Sequence, residues 1–280
     1  MNHHKAKLCV GNTLITIIVA LLTGCANLNI GYDIQMPKRG VCAHRGASDT
    51  HPENTIAALS EAIRLGAQMI EFDIALSKDK QIILMHDTTI DRTTNGKGRV
   101  ENWNLSDLKK LDAGSWKSKE FEDEKIPTLD QALDIMPKNI WLNIHLKGGV
   151  ELAEKATLII KTKGMLHQSL LACNNKAAIA AKKIDYRVKI CNMERQANTL
   201  DYVNETISSN YEFIQLLGDG KVSPTHTHIL KGKGIRINYC CTNDSAVLRN
   251  LFVNGVEFTL VDRLELMLKE ADKLGIPRSR

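Results

Sequence analysis

From Gly40 onward, short apolar runs alternate with stretches whose apolar residues recur at helical spacing. The runs that read as strands are Val41–His44, Met69–Leu76, Ile82–His86, Trp141–Leu146, Ser169–Cys173, Val188–Cys191, Phe213–Leu217, Ile235–Cys240 and Phe258–Val261. Helical patterns fill most of the gaps, at Thr55–Leu65, Leu105–Leu111, Thr128–Met136, Val150–Thr162, Asn175–Lys182, Leu200–Ser208, Ser223–Lys231, Ser245–Phe252 and Arg263–Leu274. Strands separated by helices of about ten to fifteen residues signify βαβ units and a parallel sheet. Eight or so such units in roughly 240 residues predict an α/β fold of the closed (β/α)8 TIM type rather than an open sheet. One run is in excess. Ser77–Gln81 is too short for a parallel crossover, so Met69–Leu76 and Ile82–His86 form a hairpin-like pair, or one of them is not a barrel strand. After this third strand-like run, residues 88–125 are charged and turn-rich (Asn95-Gly96, Gly98, Asp112-Ala113-Gly114) and read as an insertion with one helix over the barrel entrance.

The first residues carry a different pattern. Lys5 and Lys7 form a basic head, and Leu14–Leu22 is almost wholly apolar. Roughly ten apolar residues fall short of the ~20 that a helix needs to span a bilayer. The arrangement is that of a secretory signal, residues 1–24. Its end, Leu22-Thr23-Gly24-Cys25, resembles a bacterial lipoprotein lipobox, which implies cleavage before Cys25 and lipidation of that cysteine. Acyl chains contribute ~0.8 kcal/mol per buried methylene, so a multiply acylated Cys25 anchors firmly to a membrane. Ala26, where an Asp retains some lipoproteins at the inner membrane, suggests export to the outer membrane or its periplasmic face. Residues 25–38 then read as a tether, and 39–280 as the barrel domain.

Composition narrows the picture. The chain has 280 residues, 43% apolar and 25% charged, with a formal net charge of +5. That apolar content excludes disorder. The surplus charge is small and scattered, with no basic run interleaved with aromatics, so a nucleic-acid partner is not expected. Beyond Cys25, Cys42, Cys173, Cys191, Cys240 and Cys241 remain in the exported chain, mostly in apolar strand-like runs where cysteine acts as a small hydrophobe. Their odd number precludes complete pairing. Adjacent Cys240-Cys241 lack metal-ligand spacing and no C-x-x-C occurs, which argues against redox and structural-zinc roles.

Parallel strands in an α/β protein usually read as unbroken apolar runs. Two strands here break that rule. In Met69–Ile74, Ile70, Phe72 and Ile74 share one face while Glu71 and Asp73 share the other. In Trp141–Lys147, Leu142, Ile144 and Leu146 oppose Asn143, His145 and Lys147. Side chains alternate along a strand, so the apolar row packs on helices and the polar row points into the barrel. Unpaired carboxylates there would cost several kcal/mol, so the acids require a cation. Alternate residues lie about 6–7 Å apart, close enough for both side chains to reach one metal ion. His44 and His86 sit at strand ends, the active face of such barrels, with cationic Arg45 beside them. Imidazole titrates near 6.5, so a pair can supply a base and an acid. His226-Thr227-His228 reads as a surface pair. His167, Asp244 and Asp262 read as caps or turn residues, Asp262 also ending a strand where it can border the pocket.

His44-Arg45-Gly46-Ala47, Pro52-Glu53-Asn54-Thr55, Ile70-Glu71-Phe72-Asp73, Met85-His86-Asp87 and Asp91-Arg92-Thr93-Thr94-Asn95-Gly96 occur in that order. Together they resemble the glycerophosphodiester phosphodiesterase family, within the superfamily that includes phosphatidylinositol-specific phospholipase C. The similarity is strong over about residues 40–147; beyond it, Val261-Asp262-Arg263 resembles the family's closing strand. The resemblance implies metal-dependent hydrolysis of glycerophosphodiesters to glycerol 3-phosphate and an alcohol. By it, His44 and His86 are the acid–base pair, Arg45 and Lys147 contact the phosphate, and Glu71 and Asp73 hold one divalent ion, magnesium or calcium. Either the glycerol 2-hydroxyl attacks phosphorus, with His44 as base and His86 as acid, or a metal-bound water does.

His145 departs from the family, which usually carries a glutamate there as a third metal ligand. A neutral imidazole removes a negative charge, weakening oxygen-loving calcium or magnesium and favouring manganese or zinc. On this reading His145 remains a metal ligand. Two further readings accompany the main one: a lysophospholipid phosphodiesterase or lyase, for which Trp103 and Trp116 could supply an apolar rim, and a non-catalytic phosphodiester-binding lipoprotein.

Overall fold

The computed structural model describes residues 34–279 together with Met1; the signal segment, Cys25 and most of the tether lie outside the described residues. Eight parallel strands close on themselves: β1 (Gly40–Ala43), β2 (Met69–Leu76), β4 (Trp141–Leu146), β5 (Ser169–Cys173), β6 (Lys189–Asn192), β7 (Phe213–Leu217), β8 (Arg236–Cys240) and β9 (Phe258–Val261), with β9 returning to pair with β1. Helices α1 (Ile56–Leu65), α3 (Leu129–Asp134), α4 (Val150–Thr162), α5 (Asn175–Ile184), α6 (Leu200–Ser208), α7 (Pro224–Gly232), α8 (Ser245–Val253) and α9 (Leu264–Lys273) surround it, and the short α2 (Leu105–Leu108) lies in the segment between β3 (Ile82–Leu84) and α3. The TIM-type barrel expected from the alternation is therefore present.

The supernumerary run is explained by the length of β2. Its first half is flanked by β1 and β4, whereas Ile74–Leu76 project beyond β1 and pair antiparallel with β3 (Ile82–Leu84). The pair is thus a hairpin whose second arm stands outside the closed ring. The pairing continues past β3, because Met85 N donates to Asp73 O at 3.1 Å. Those contacts lead the chain back toward the barrel mouth at His86.

The helices start where the side chains dictate. Thr55, Thr128, Asn174, Thr199, Ser223 and Asp244 each accept a backbone N–H from the first turn that follows, satisfying donors a helix leaves orphaned. Asp244 is thereby the cap that its position suggested. In the inserted segment, the helical pattern Leu105–Leu111 gives α-helix only to Leu108, and Lys110 N and Leu111 N then turn back on Asp107 O and Leu108 O. Asp112 stops it, because its Oδ1 accepts the amides of Gly114 and Ser115. Ile83, Met85, Ile90, Val100, Leu108 and Ile126 form the apolar cluster under this segment, and Trp103 packs against them.

Four inward-facing rows run from apolar to polar along the barrel axis, whereas the β8 row carries Arg236 and buried Asn238 ahead of Cys240. Met69 precedes Glu71 and Asp73, Trp141 precedes Asn143 and His145, Phe213 precedes Gln215, and Phe258 and Leu260 precede Asp262. Met69, Trp141, Leu170, Phe213 and Phe258 plug the N-terminal end in one cluster, with the Arg236 guanidinium over the Trp141 ring at 5.1 Å. Burying such large side chains is worth about 1.5–3 kcal/mol each, which fixes the floor on which the polar layer stands. Ile70, Phe72, Leu142 and Ile144 face outward into the larger core shared with the helices.

The floor is closed by Gln68, whose Oε1 accepts Val41 N at 2.9 Å and whose Nε2 donates to Pro277 O at 2.7 Å. Gly40 lies under this side chain, and a Cβ there would sit 2.4–2.5 Å from Gln68 Cβ, Cγ and Cδ. We expect Gly40→Ala to displace Gln68 and lower stability by about 1–3 kcal/mol, read from the midpoint of urea denaturation. An unchanged midpoint would show that the floor tolerates the methyl group.

Candidate active site at the barrel mouth

At the C-terminal ends of the strands, His44, Arg45, Glu71, His86, Asn143, His145, Lys147, Gln196, Gln215 and Cys240 line a cavity of about 270 Å³. Of the candidates named from sequence, His44, Arg45, Glu71, His86, His145 and Lys147 are on its wall, while Asp73 and Asp262 are not among the lining residues. Glu71 and Asp73 are 2% and 1% exposed, as an inward-facing acid pair requires.

The first half of the site is built by a tight turn after β1. Arg45 adopts a left-handed backbone (φ 58°), as does Asn54 (φ 57°), a conformation uncommon for residues with a side chain. Arg45 N donates to Glu71 Oε2 at 2.9 Å, and Gly46 N to Glu71 O at 3.2 Å. Asn54 clasps Asp73 from both sides: Nδ2 donates to Oδ2, and Asp73 N donates to Asn54 Oδ1, each at 3.0 Å. The strained backbone is thus held where it orients both carboxylates.

The acids meet three basic side chains. His145 Nδ1 lies 3.2 Å from Asp73 Oδ1 and 3.7 Å from Glu71 Oε1; Lys147 Nζ is 3.1 Å from Asp73 Oδ1, and Arg45 Nε 3.4 Å from Asp73 Oδ2. Burial pushes the Asp73 carboxyl up, but His145, Lys147 and Asn54 outweigh it and hold it well below its ordinary value. The His145 imidazole is pushed down by burial and up, more strongly, by Asp73 and Glu71. Buried Asp73 Oδ1 nevertheless lacks a partner at hydrogen-bonding angles. One donor atom each from Glu71, Asp73 and His145 lies within 4.8 Å of the others. Two carboxylates and an imidazole form a donor set that suits a divalent cation.

Two histidine–aspartate pairs flank this cluster. His44 Nδ1 is 2.8 Å from Asp262 Oδ1, and His86 Nδ1 is 2.7 Å from Asp87 Oδ1. In each, the carboxylate accepts the Nδ1 proton, which leaves Nε2 as the exchangeable position. Asn243 Nδ2 donates to Asp262 Oδ2 at 3.0 Å, fixing the first pair. Arg92 fixes the second and links it across the mouth. It donates to Asp87 at 2.7 and 3.1 Å and to Glu53 at 2.7 and 2.8 Å, while Glu53 also accepts from Arg45 NH1 at 2.8 Å.

Sequence reasoning left Glu53, Asn54, Asp87 and Arg92 without roles, although each lies within a quoted motif. The parity of the β9 row gives the signal for Asp262, since Phe258, Leu260 and Asp262 are alternate residues. His226 bonds Asn198 Oδ1 and stands apart from the cavity. Trp103 and Trp116 are not among the residues lining it; Trp116 is partly exposed and its indole donates to Ala113 O. The adjacent Cys240 and Cys241 sulfurs are joined as a disulfide, and Cys240 lines the cavity.

The model of the glycerophosphoryl diester phosphodiesterase family matches residues 44–239. This chain belongs to that family. A glycerophosphodiester phosphodiesterase of Caldanaerobacter subterraneus subsp. tengcongensis is 40% identical over 156 residues, 54% of this chain and 64% of that one. The YhdW protein of Bacillus subtilis is 53% identical over 108 residues, 39% of this chain and 44% of that one. The aligned stretches thus span less than two thirds of either relative. An Oleispira antarctica phosphodiesterase, solved in complex with its product sn-glycerol-3-phosphate, superimposes with a TM-score of 0.73 at 26% identity, covering 83% of this chain and 96% of that one. The Agrobacterium tumefaciens glycerophosphodiester phosphodiesterase matches equally, at 0.73 and 26%, over 82% of this chain and 99% of its own. Both similarities cover more than four fifths of this family member.

Burial pushes the His44 imidazole down, yet the hydrogen bond to Asp262, together with Glu71, raises it above the ordinary 6.5. The bond to His44 and that from Asn243 in turn hold Asp262 at about 2, below its ordinary 3.8. The raised imidazole stabilises the fold fully below pH 6.5 and loses this contribution as pH rises through its folded value. The lowered carboxyl stabilises the fold above pH 3.8 and loses this as pH falls through about 2. The pair therefore contributes most between about pH 4 and 6.5. Asp262→Asn is expected to lower the His44 titration midpoint in an NMR pH series and to lower stability across that window. A His44 midpoint that does not move would show that Asp262 does not set it.

Proposed function

We propose that this chain hydrolyses glycerophosphodiesters to sn-glycerol 3-phosphate and an alcohol. The observation that carries the reading is the pair of His–Asp dyads facing one cavity across a basic and acidic cluster. It is supported by the family and by the neighbour whose printed description names sn-glycerol-3-phosphate as its product. A phosphodiester brings one negative charge into the cavity, where Lys147 and Arg45 lie on the wall. Preorganised cations of this kind stabilise charge that grows on the phosphoryl oxygens in the transition state.

In this reading His44 Nε2, its ring held by Asp262, takes the proton of the glycerol 2-hydroxyl as that oxygen attacks phosphorus. His86, held by Asp87, protonates the departing alcohol. The product of this step is a cyclic phosphate, and the same two imidazoles exchange roles when water opens it. Attack from within the substrate benefits from effective molarities of about 10⁵–10⁸ M. Glu71, Asp73 and His145 would hold a divalent ion, whose chemistry is to polarise the phosphoryl oxygens as a Lewis acid. With an imidazole in place of a third carboxylate, manganese or zinc suits these residues better than calcium. Asn54 and Arg92 position groups that act, without touching the substrate themselves.

The test is release of sn-glycerol 3-phosphate from glycerophosphocholine by the purified full chain, followed with an enzyme-coupled assay. Chelation should abolish release, and His44→Ala and His86→Ala should each lower it by about 10²–10⁴-fold. Turnover that persists in His44→Ala contradicts the acid–base assignment. Binding of glycerophosphocholine without turnover across magnesium, calcium, manganese and zinc would leave a phosphodiester-binding protein instead.

A further inference from the structure

The corner of the cavity next to His44 carries a second donor set. Cys240 ends β8 as an inward-facing residue, and Cys241 follows it directly. A ring nitrogen of His44 and the two Sγ atoms all lie within 4.8 Å of one another. Because Asp262 occupies Nδ1, Nε2 is the nitrogen open to a ligand, the same atom that acts as base in the reading above. The other described thiols, Cys42, Cys173 and Cys191, are buried. Burial pushes the Cys173 thiol up to about 12 and raises Cys42 and Cys191 as well, so these three are poor thiolate donors. The pair at the cavity is the accessible one.

We propose that reduction of the Cys240–Cys241 disulfide creates, with His44, a three-donor site for a thiophilic divalent cation such as Cd²⁺ or Zn²⁺, and that its occupation withdraws His44 from catalysis. The reductant is a dithiol: its two sulfurs become a disulfide, and its two thiol hydrogens pass to Cys240 and Cys241. Binding of the cation then releases both as protons, since thiolates are the ligands. Two thiolates and an imidazole select soft or borderline ions, whereas the carboxylate-rich set of Glu71, Asp73 and His145 suits harder ones. The cavity thereby sorts ions between a corner that blocks the base and one that neutralises the acids. The binding claim rests on the proximity of the three donors around the disulfide; the inhibitory claim rests on His44 being the base.

The full chain, reduced with dithiothreitol and desalted without air, is titrated with cadmium chloride while the ultraviolet thiolate-to-cadmium absorption is followed. Reduced protein should give this band at one equivalent, and unreduced protein and Cys240→Ser/Cys241→Ser should not. His44→Ala should keep the band but weaken binding by about tenfold or more, since even outer-shell changes at metal sites cost about 10–100-fold. No band in the reduced protein, an equal band in the unreduced protein, or unchanged affinity in His44→Ala would overturn the site. In a parallel assay under saturating manganese, cadmium should inhibit release of sn-glycerol 3-phosphate by the reduced protein and spare the unreduced one. Equal inhibition of both overturns the control of His44. If neither form hydrolyses the substrate, the catalytic reading fails, and the absorption band still decides the cation site.

Discussion

Two carboxylates buried on one strand set the terms for the rest of this structure. Glu71 and Asp73 are almost wholly removed from water, and charge so placed costs several kcal/mol per ion unless it is paired and hydrogen-bonded. The surrounding architecture supplies that compensation. The turn after β1 brings its backbone amide to Glu71 and Asn54 to Asp73, and the next strand of the ring brings His145 and Lys147. Removing one partner would leave a buried charge uncompensated, which is why the site is built from several elements that must close together.

The barrel makes this possible by segregating polarity along its axis. Large apolar residues fill the end where the strands begin, and the inward rows of β2, β4, β7 and β9 become polar where they finish. A TIM barrel has a packed interior rather than a pore, and the inward polar groups of β2, β4, β7 and β9 lie toward the open mouth, while buried Asn238 of β8 packs against Met69 and Cys191. That geometry brings His44, His86 and the neighbours His145 and Lys147 to one cavity although they come from three separate stretches of the chain. The inserted segment stands on its own apolar cluster, and Arg92, at its start, ties Asp87 to Glu53 across the mouth.

Much of this was legible in the sequence because it rests on periodicity. Alternation in Met69–Ile74 and Trp141–Lys147 marks an apolar and a polar face, and both faces point where the pattern requires. The excess strand run was legible as well, since five residues cannot make a parallel crossover. Relationships between distant loops were not. Nothing local in Glu53 announces that it joins Arg45 to Arg92, and nothing in Asn54 announces its clasp on Asp73. Asp262 looked like a turn residue because its partner, His44, lies at the opposite end of the chain. Cys240 and Cys241 showed no ligand spacing between themselves; their third neighbour, His44, directly follows β1, and closure of the barrel is what supplies it.

The central claim is that Glu71, Asp73 and His145 hold one divalent ion at the mouth of the barrel. Electron spin-echo spectroscopy of the protein loaded with one equivalent of Mn²⁺ tests it most directly. The account predicts nitrogen modulation from a single imidazole ligand, lost in His145→Glu while the ion stays bound. An ion with no nitrogen ligand, or with the same nitrogen signal in His145→Glu, would contradict it.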